Sequence, residues 1–163
     1  NSPTFDGAKQ AVRLTKTDNE RFTIQAASSY TRPFEFWITF TTPPSWSGSA
    51  HTLVGLSGTH RIALAATTGN LLISGVATGQ AMANDTQYTL RVVFNGASSS
   101  WTLNNGTVNS ISLSSTDIGT PNFRVGSNFS NSEHYDGWIK YLFSSDAGLS
   151  AGDVTDMWTW SGN

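Results

Sequence analysis

Apolar and polar residues alternate with a period close to two along most of the chain. Phe34, Phe36, Ile38 and Phe40 alternate with Glu35, Trp37, Thr39 and Thr41. Leu90, Val92 and Phe94 alternate with Thr89, Arg91 and Val93; Ile62 and Leu64 alternate with Arg61, Ala63 and Ala65; Phe123 and Val125 flank Arg124. Such a period describes strands with one face in a core and the other partly wet. Further strands are predicted at Ala11–Leu14, Thr23–Gln25, Thr52–Leu56, Leu71–Gly75, Ser100–Asn104, Ser110–Leu113 and Trp138–Phe143. Turn pairs punctuate them: Pro43-Pro44, Ser57-Gly58, Gly69-Asn70, Asn95-Gly96, Asn105-Gly106 and Asp136-Gly137. Asn105-Gly106 suits a type I′ hairpin, whose central residues both need positive φ. About eleven short strands at this spacing predict a sandwich or barrel of antiparallel sheets.

One helix is expected, near the C-terminus. Ser150 can cap it, with Asp153 three residues on, and Val154, Met157 and Trp158 form an apolar stripe. One or two turns are expected, lying as a lid on the sandwich edge. No linker or repeat divides the chain, so residues 1–163 read as one domain. Asn1 in place of Met points to a processed product or a module of a longer protein.

Composition narrows the partners. The chain has no cysteine, which excludes a disulfide scaffold, a thiolate zinc site and a cysteine nucleophile. Charged residues make up 12%, the net charge is −2, and no basic run occurs. Nucleic acid and anionic membranes therefore lack their electrostatic footprint. No apolar stretch approaches the ~20 residues that cross a bilayer. A surface rich in Ser, Thr, Asn and Gly suits extracellular, secreted or virion-surface β proteins.

Several segments in order resemble the laminin G-like group of concanavalin A-like lectin/glucanase jelly rolls. Phe5-Asp6-Gly7 with Ala11–Leu14 resembles that group's opening strand, and Phe34-Glu35-Phe36-Trp37-Ile38 resembles its "FTIEFWV" strand. Thr89–Asn95 with Trp101–Gly106 is similar to its central hairpin, Asp136-Gly137-Trp138-Ile139 to its "fdG.I" segment, and Leu149–Met157 to its terminal turn. The resemblance implies an all-β, two-sheet antiparallel jelly-roll sandwich. It leaves function open, because this fold carries lectins, adhesion domains, phage appendages, glycosidases and lyases.

Glucanases of the resembled fold carry acidic residues two or more positions apart on one strand, as retaining hydrolysis needs paired carboxylates. Here the three glutamates, Glu20, Glu35 and Glu133, have no acidic partner at i+2 or i+4 on a strand. The lyases' Gln-x-His is missing, and His51, His60 and His134 stand isolated. These features argue against an enzyme. The resemblance also implies one structural calcium at the sandwich edge, for which Asp6 and Asp136, each before a Gly, are the candidates; both also read as plain turn residues.

Two binding sites are open. Trp37, out of phase with the core residues of its strand, falls on the opposite face with Glu35, and Arg61, Arg91 and Arg124 occupy off-core phases elsewhere. Aromatic and planar polar groups together suit a sugar ring, though loops covering this face would make them packing residues. Loops offer the second set: Trp46, Phe129, His134 and Tyr135. Trp101, Trp138, Trp158 and Trp160 read as packing residues or edge covers. The leading expectation is a carbohydrate-binding module that attaches its parent protein or particle to a glycan. A structural module packing on neighbouring subunits is the alternative, and a lyase or glycosidase the weaker one.

Overall fold

The computed structural model describes residues 3–8, 10–26, 29–46, 48–57, 60–114, 117–118, 122–130 and 132–161. Thirteen strands are present among them. They are β1 (Thr4–Asp6), β2 (Ala11–Leu14), β3 (Phe22–Gln25), β4 (Phe34–Thr41), β5 (His51–Gly55), β6 (Arg61–Leu64) and β7 (Asn70–Ile73). There follow β8 (Val76–Ala81), β9 (Gln87–Phe94), β10 (Ser99–Leu103), β11 (Asn109–Ile111), β12 (Asn122–Val125) and β13 (Gly137–Ser145), then the helix α1 (Ala151–Ser161). A seven-stranded sheet has the order β1-β2-β13-β4-β9-β10-β11, and a six-stranded sheet the order β3-β12-β5-β6-β7-β8. The two antiparallel sheets pack face to face as a jelly-roll sandwich.

Alternation decides which side of each strand enters the core. Phe34, Phe36, Ile38 and Phe40 of β4 and Leu90, Val92 and Phe94 of β9 are buried from one sheet; Ile62, Leu64, Phe123 and Val125 come from the other. An aromatic knot joins the layers: Phe36 meets Phe123 edge-on at 5.2 Å, and Tyr30 meets Phe123 at 5.1 Å. Edge-to-face geometry brings the positive ring edge against the negative face.

Two strands were not expected. β1 is only three residues long. β8 reads Val-Ala-Thr-Gly-Gln-Ala and is mostly exposed on both sides, so it carries no hydrophobic period. The chain reaches β8 through Ser74-Gly75, both at positive φ, a two-residue hairpin between paired Ile73 and Val76. After β10 the positive-φ pair is Asn104-Asn105, with the Gly106 N–H donating to the Leu103 carbonyl at 2.9 Å. The turn thus falls one residue before the expected Asn105-Gly106.

α1 is longer than expected, with eleven residues. The Ser150 hydroxyl donates to Asp153 Oδ2 at 2.6 Å and accepts the Asp153 N–H at 3.2 Å, a reciprocal capping box. The helix does not cover an edge. It lies on the outer face of the seven-stranded sheet, and that placement shapes the site.

Candidate functional site

Residues paired directly across strands share a face. On the outer face of the seven-stranded sheet, Arg91, Trp37 and Phe143 form one row and Thr89, Thr39 and Tyr141 the next. Trp37 does point away from the core, as its phase requires. It is nevertheless only 2% exposed, because Trp158 of α1 packs on it with ring centroids 4.6 Å apart. Arg91 closes another side, its guanidinium 5.4 Å from the indole centroid. Glu35 is fully buried beside them. Its Oε2 accepts from Trp37 Nε1 at 2.9 Å and Arg91 Nε at 2.6 Å, and its Oε1 from the Leu149 N–H at 2.6 Å. Trp37, Glu35 and Arg91 therefore form the seat of the helix. They do not offer an open platform for a ligand, which corrects the sequence expectation.

What the helix leaves uncovered is a groove of about 280 Å³ lined by Phe143, Leu149, Asp153, Asp156, Met157 and Trp160. Trp160 is 58% exposed and leans on Tyr141 at 4.4 Å. Two aromatic side chains and two carboxylates thus border one concave surface. The sequence alone reads Trp160 as a packing residue or edge cover. The helix geometry already argues otherwise: Trp158 and Trp160 lie two residues, or about 200°, apart, so both cannot bury on one side.

A second constellation lies on the outer face of the six-stranded sheet. Arg124 pairs with Gly55, and Gly55 with Arg61, so both guanidinium groups share that face two strands apart. The segment after β12 folds across it. A Cβ on Gly55 would stand 2.6 Å from the Ser127 carbonyl, so only glycine admits this crossing. Glu133, absent from the expected set, bonds Arg61 at 2.5 Å and accepts from the Thr52 hydroxyl at 3.0 Å. Arg124 stacks over Phe129 at 5.3 Å, and Phe129 is 44% exposed. The structure therefore brings Arg61, Arg124 and Phe129 together.

The other expected loop residues lie elsewhere. Tyr135 is wholly buried and its hydroxyl donates to the Thr41 carbonyl at 2.6 Å. Burial pushes its phenol well above the ordinary value of 10.0. It is a core strut, unavailable to a ligand. His134 is buried at 6% exposure, bridged through its backbone to Ser127. Trp46 packs its ring on Gly69, where φ is +64° and a Cβ would stand 2.3 Å from the indole, and on His51 at 5.7 Å.

Asp136 gives its carboxylate to Arg13 at 2.8 Å, and Arg13 in turn stacks on Trp138 at 4.6 Å. A cation at Asp136 would have to displace that guanidinium. Among the described residues no three His, Cys, Asp or Glu side chains converge on a metal-sized space. The side chain of Asp6 falls outside the described residues.

Ser57 and His60 approach to 2.9 Å between the hydroxyl and Nδ1. The pair sits inside the fold: His60 is 2% exposed, with Phe34 and Phe94 rings at 6.3 and 5.9 Å. Burial lowers the His60 pKa below its ordinary 6.5, and Arg32 pushes it the same way. The unfolded chain therefore binds the proton more readily than the fold does. The contribution of neutral His60 to stability is full above pH 6.5 and is lost as the pH falls below it. Thermal melts between pH 8 and pH 5 check this, and His60→Gln is expected to flatten the decline.

No protein-family profile matches the sequence, and no curated protein matches it. Solved structures do. The chain superposes on the heptameric SAP-like pentraxin of Limulus polyphemus with a TM-score of 0.61 and 10% identity, over 88% of this chain and 78% of that one. It matches domain 4 of an extracellular GH43 arabinanase from Geobacillus stearothermophilus, solved with arabinotriose, at TM-score 0.68 and 17% identity, over 95% and 79%. The fold is that of the concanavalin A-like jelly rolls. A sialidase of Trypanosoma rangeli, solved with sialic acid, also matches, at TM-score 0.51 and 12% identity over 77% of this chain but 22% of that one. At these identities the likeness is one of fold. Among the described residues, no helix is long and apolar enough to cross a membrane.

Proposed function

We propose that this chain is a non-catalytic module that binds a glycan in the groove between α1 and the seven-stranded sheet. One observation carries the reading. The exposed Trp160 indole borders a concave surface that also holds Phe143 and the carboxylates of Asp153 and Asp156. A sugar ring presents C–H patches to an aromatic face and hydroxyl donors to carboxylate oxygens. The arabinanase domain of similar fold, crystallised with arabinotriose, supports the ligand class. That enzyme is extracellular, which supports work outside the cell for this chain as well. Asp153 already accepts the helix cap, so its carboxylate serves as a fixed acceptor and not as a mobile acid.

Affinity for one short glycan is expected to be weak. Each hydroxyl exchanges water for protein and gains only about 0.5–1.5 kcal/mol. Retention in polysaccharide-containing gels, followed by a glycan array, tests the reading. Trp160→Ala is expected to weaken binding at least about tenfold, a loss of ~1.4 kcal/mol, while the melting temperature moves by a few degrees. Retention that survives Trp160→Ala but vanishes in Arg124→Ala or Phe129→Ala would move the site to the six-stranded sheet. No retention of the parent protein on any polysaccharide would overturn the reading and leave a packing module.

A further inference from the structure

Among the described residues, the flank of the sandwich formed by β1 and β3 is left open. β2 lies over the end of β12, where a Cβ at Gly126 would stand 2.5 Å from Leu14 Cδ1. β1 borders β2, and β3 borders β12, so both terminal strands reach the same flank. On β3, Phe22 pairs with Val125 and Ile24 with Phe123, both of which are core residues. Phe22 and Ile24 thus point to the core side, yet they are 38% and 44% exposed. Phe5 of β1 pairs with Val12, which pairs with the buried Ile139, and Phe5 is 70% exposed. Three large apolar side chains of the inner faces therefore look out of the sandwich beside a strand that, among the described residues, is paired on one side only.

Proteins blunt such edges with lysine, proline, bulges or a very short strand. The opposite edge of the same sheet is blunted. There β8 carries Gly79 at φ +80° and a register shift against β7. β3 is short, at four residues, but it has no lysine, proline or bulge: its sequence is Phe-Thr-Ile-Gln and its register against β12 is unbroken.

We propose that β3 is a homodimer interface, pairing antiparallel with β3 of a second copy about a two-fold axis through Thr23. The sequence is self-complementary in that register. A two-fold axis normal to the sheet keeps inner faces together, so opposed residues must have the same parity. Centring on Thr23 sets Phe22 opposite Ile24 of the second copy, Thr23 opposite Thr23, and Ile24 opposite Phe22. Aromatic with β-branched, and Thr with Thr, are favourable cross-strand pairs. Arg21 then meets Gln25, so no like charges face each other. The nearest repeated charge on that row is Arg124, beside Thr23 in each copy. Three strand spacings separate the two, about 14 Å, beyond the ~8 Å screening length in physiological salt. The six-stranded sheets join into one, and the apolar flanks of both copies meet. Two grooves on one particle would raise avidity for a repeating polymer.

Sedimentation equilibrium over a concentration series reaching the millimolar range tests this. The mass of the intact chain is expected to rise from 17.5 kDa toward twice that value. Thr23→Lys sets two ammonium groups face to face and is expected to stay at 17.5 kDa throughout. Thr23→Glu, which stands beside Arg124 in its own chain and keeps the fold if Thr23→Lys strains it, is expected to do the same. An equimolar mixture of the two variants is expected to regain the doubled mass, because Lys then faces Glu. A parent chain that stays monomeric at every concentration overturns the proposal. So does a doubled mass that persists in Thr23→Lys or Thr23→Glu alone.

Discussion

Trp37→Ala is expected to destabilise the protein by about 3–5 kcal/mol, the usual range for removing a buried aromatic side chain. For a chain of this size that is a fall of roughly 10 °C or more in melting temperature. The indole is held by Trp158 at 4.6 Å, by Arg91 and by a hydrogen bond to Glu35, and it is 2% exposed. Its loss leaves the helix without its main contact. Hydrogen exchange should therefore accelerate throughout α1 before it does so in β4 or β9. Trp158→Ala is expected to produce the same pattern. The double variant should cost less than the sum of the two, since each single change already breaks the shared contact. Loss of sugar binding in Trp37→Ala would not by itself assign a ligand contact, because α1 carries four of the groove residues. Stability is the readout that separates the roles. A Trp37→Ala protein with unchanged melting would show that α1 does not rest on the indole.

The sandwich was legible because alternation is strongest where burial is strongest. β4 and β9 each carry a run of large apolar residues at period two, and their register is unbroken. β8 was hidden because an edge strand exposed on both sides has no face to mark. The groove was hidden for a different reason. Ile139 is buried, so strict alternation along β13 would turn Tyr141 and Phe143 inward as well. A bulge between Ile139 and Tyr141 shifts the register, and both point outward. No period survives an inserted residue, and nothing local in Ile-Lys-Tyr announces one. Trp37 shows the remaining limit. Its phase gave the correct face, but what lies on that face comes from α1, more than a hundred residues away in the chain.

Glu35→Ala is expected to cost about 3–5 kcal/mol, the range for removing one partner of a buried ion pair. The carboxylate is 0% exposed and serves three donors from three segments: Trp37 on its own strand, Arg91 on β9, and the backbone of Leu149 ahead of α1. Truncation leaves the Arg91 guanidinium, whose side chain is 17% exposed, without its counter-charge. It also leaves the Leu149 N–H without the acceptor that fixes where the chain enters the helix. Leu149 lines the groove and Ser150 begins the capping box, so the change reaches the site without touching a ligand. Denaturant unfolding of three variants distinguishes this clamp from a passive buried pair. Glu35→Gln keeps an acceptor for Leu149 and is expected to lose less than Glu35→Ala. Replacing both Glu35 and Arg91 by methionine removes the stranded charge and should recover much of the loss. That double variant still lacks the Leu149 bond, so its groove should bind sugar more weakly even where its stability is restored. Equal stability and equal binding in the double variant would show that Glu35 balances Arg91 and does nothing for the helix.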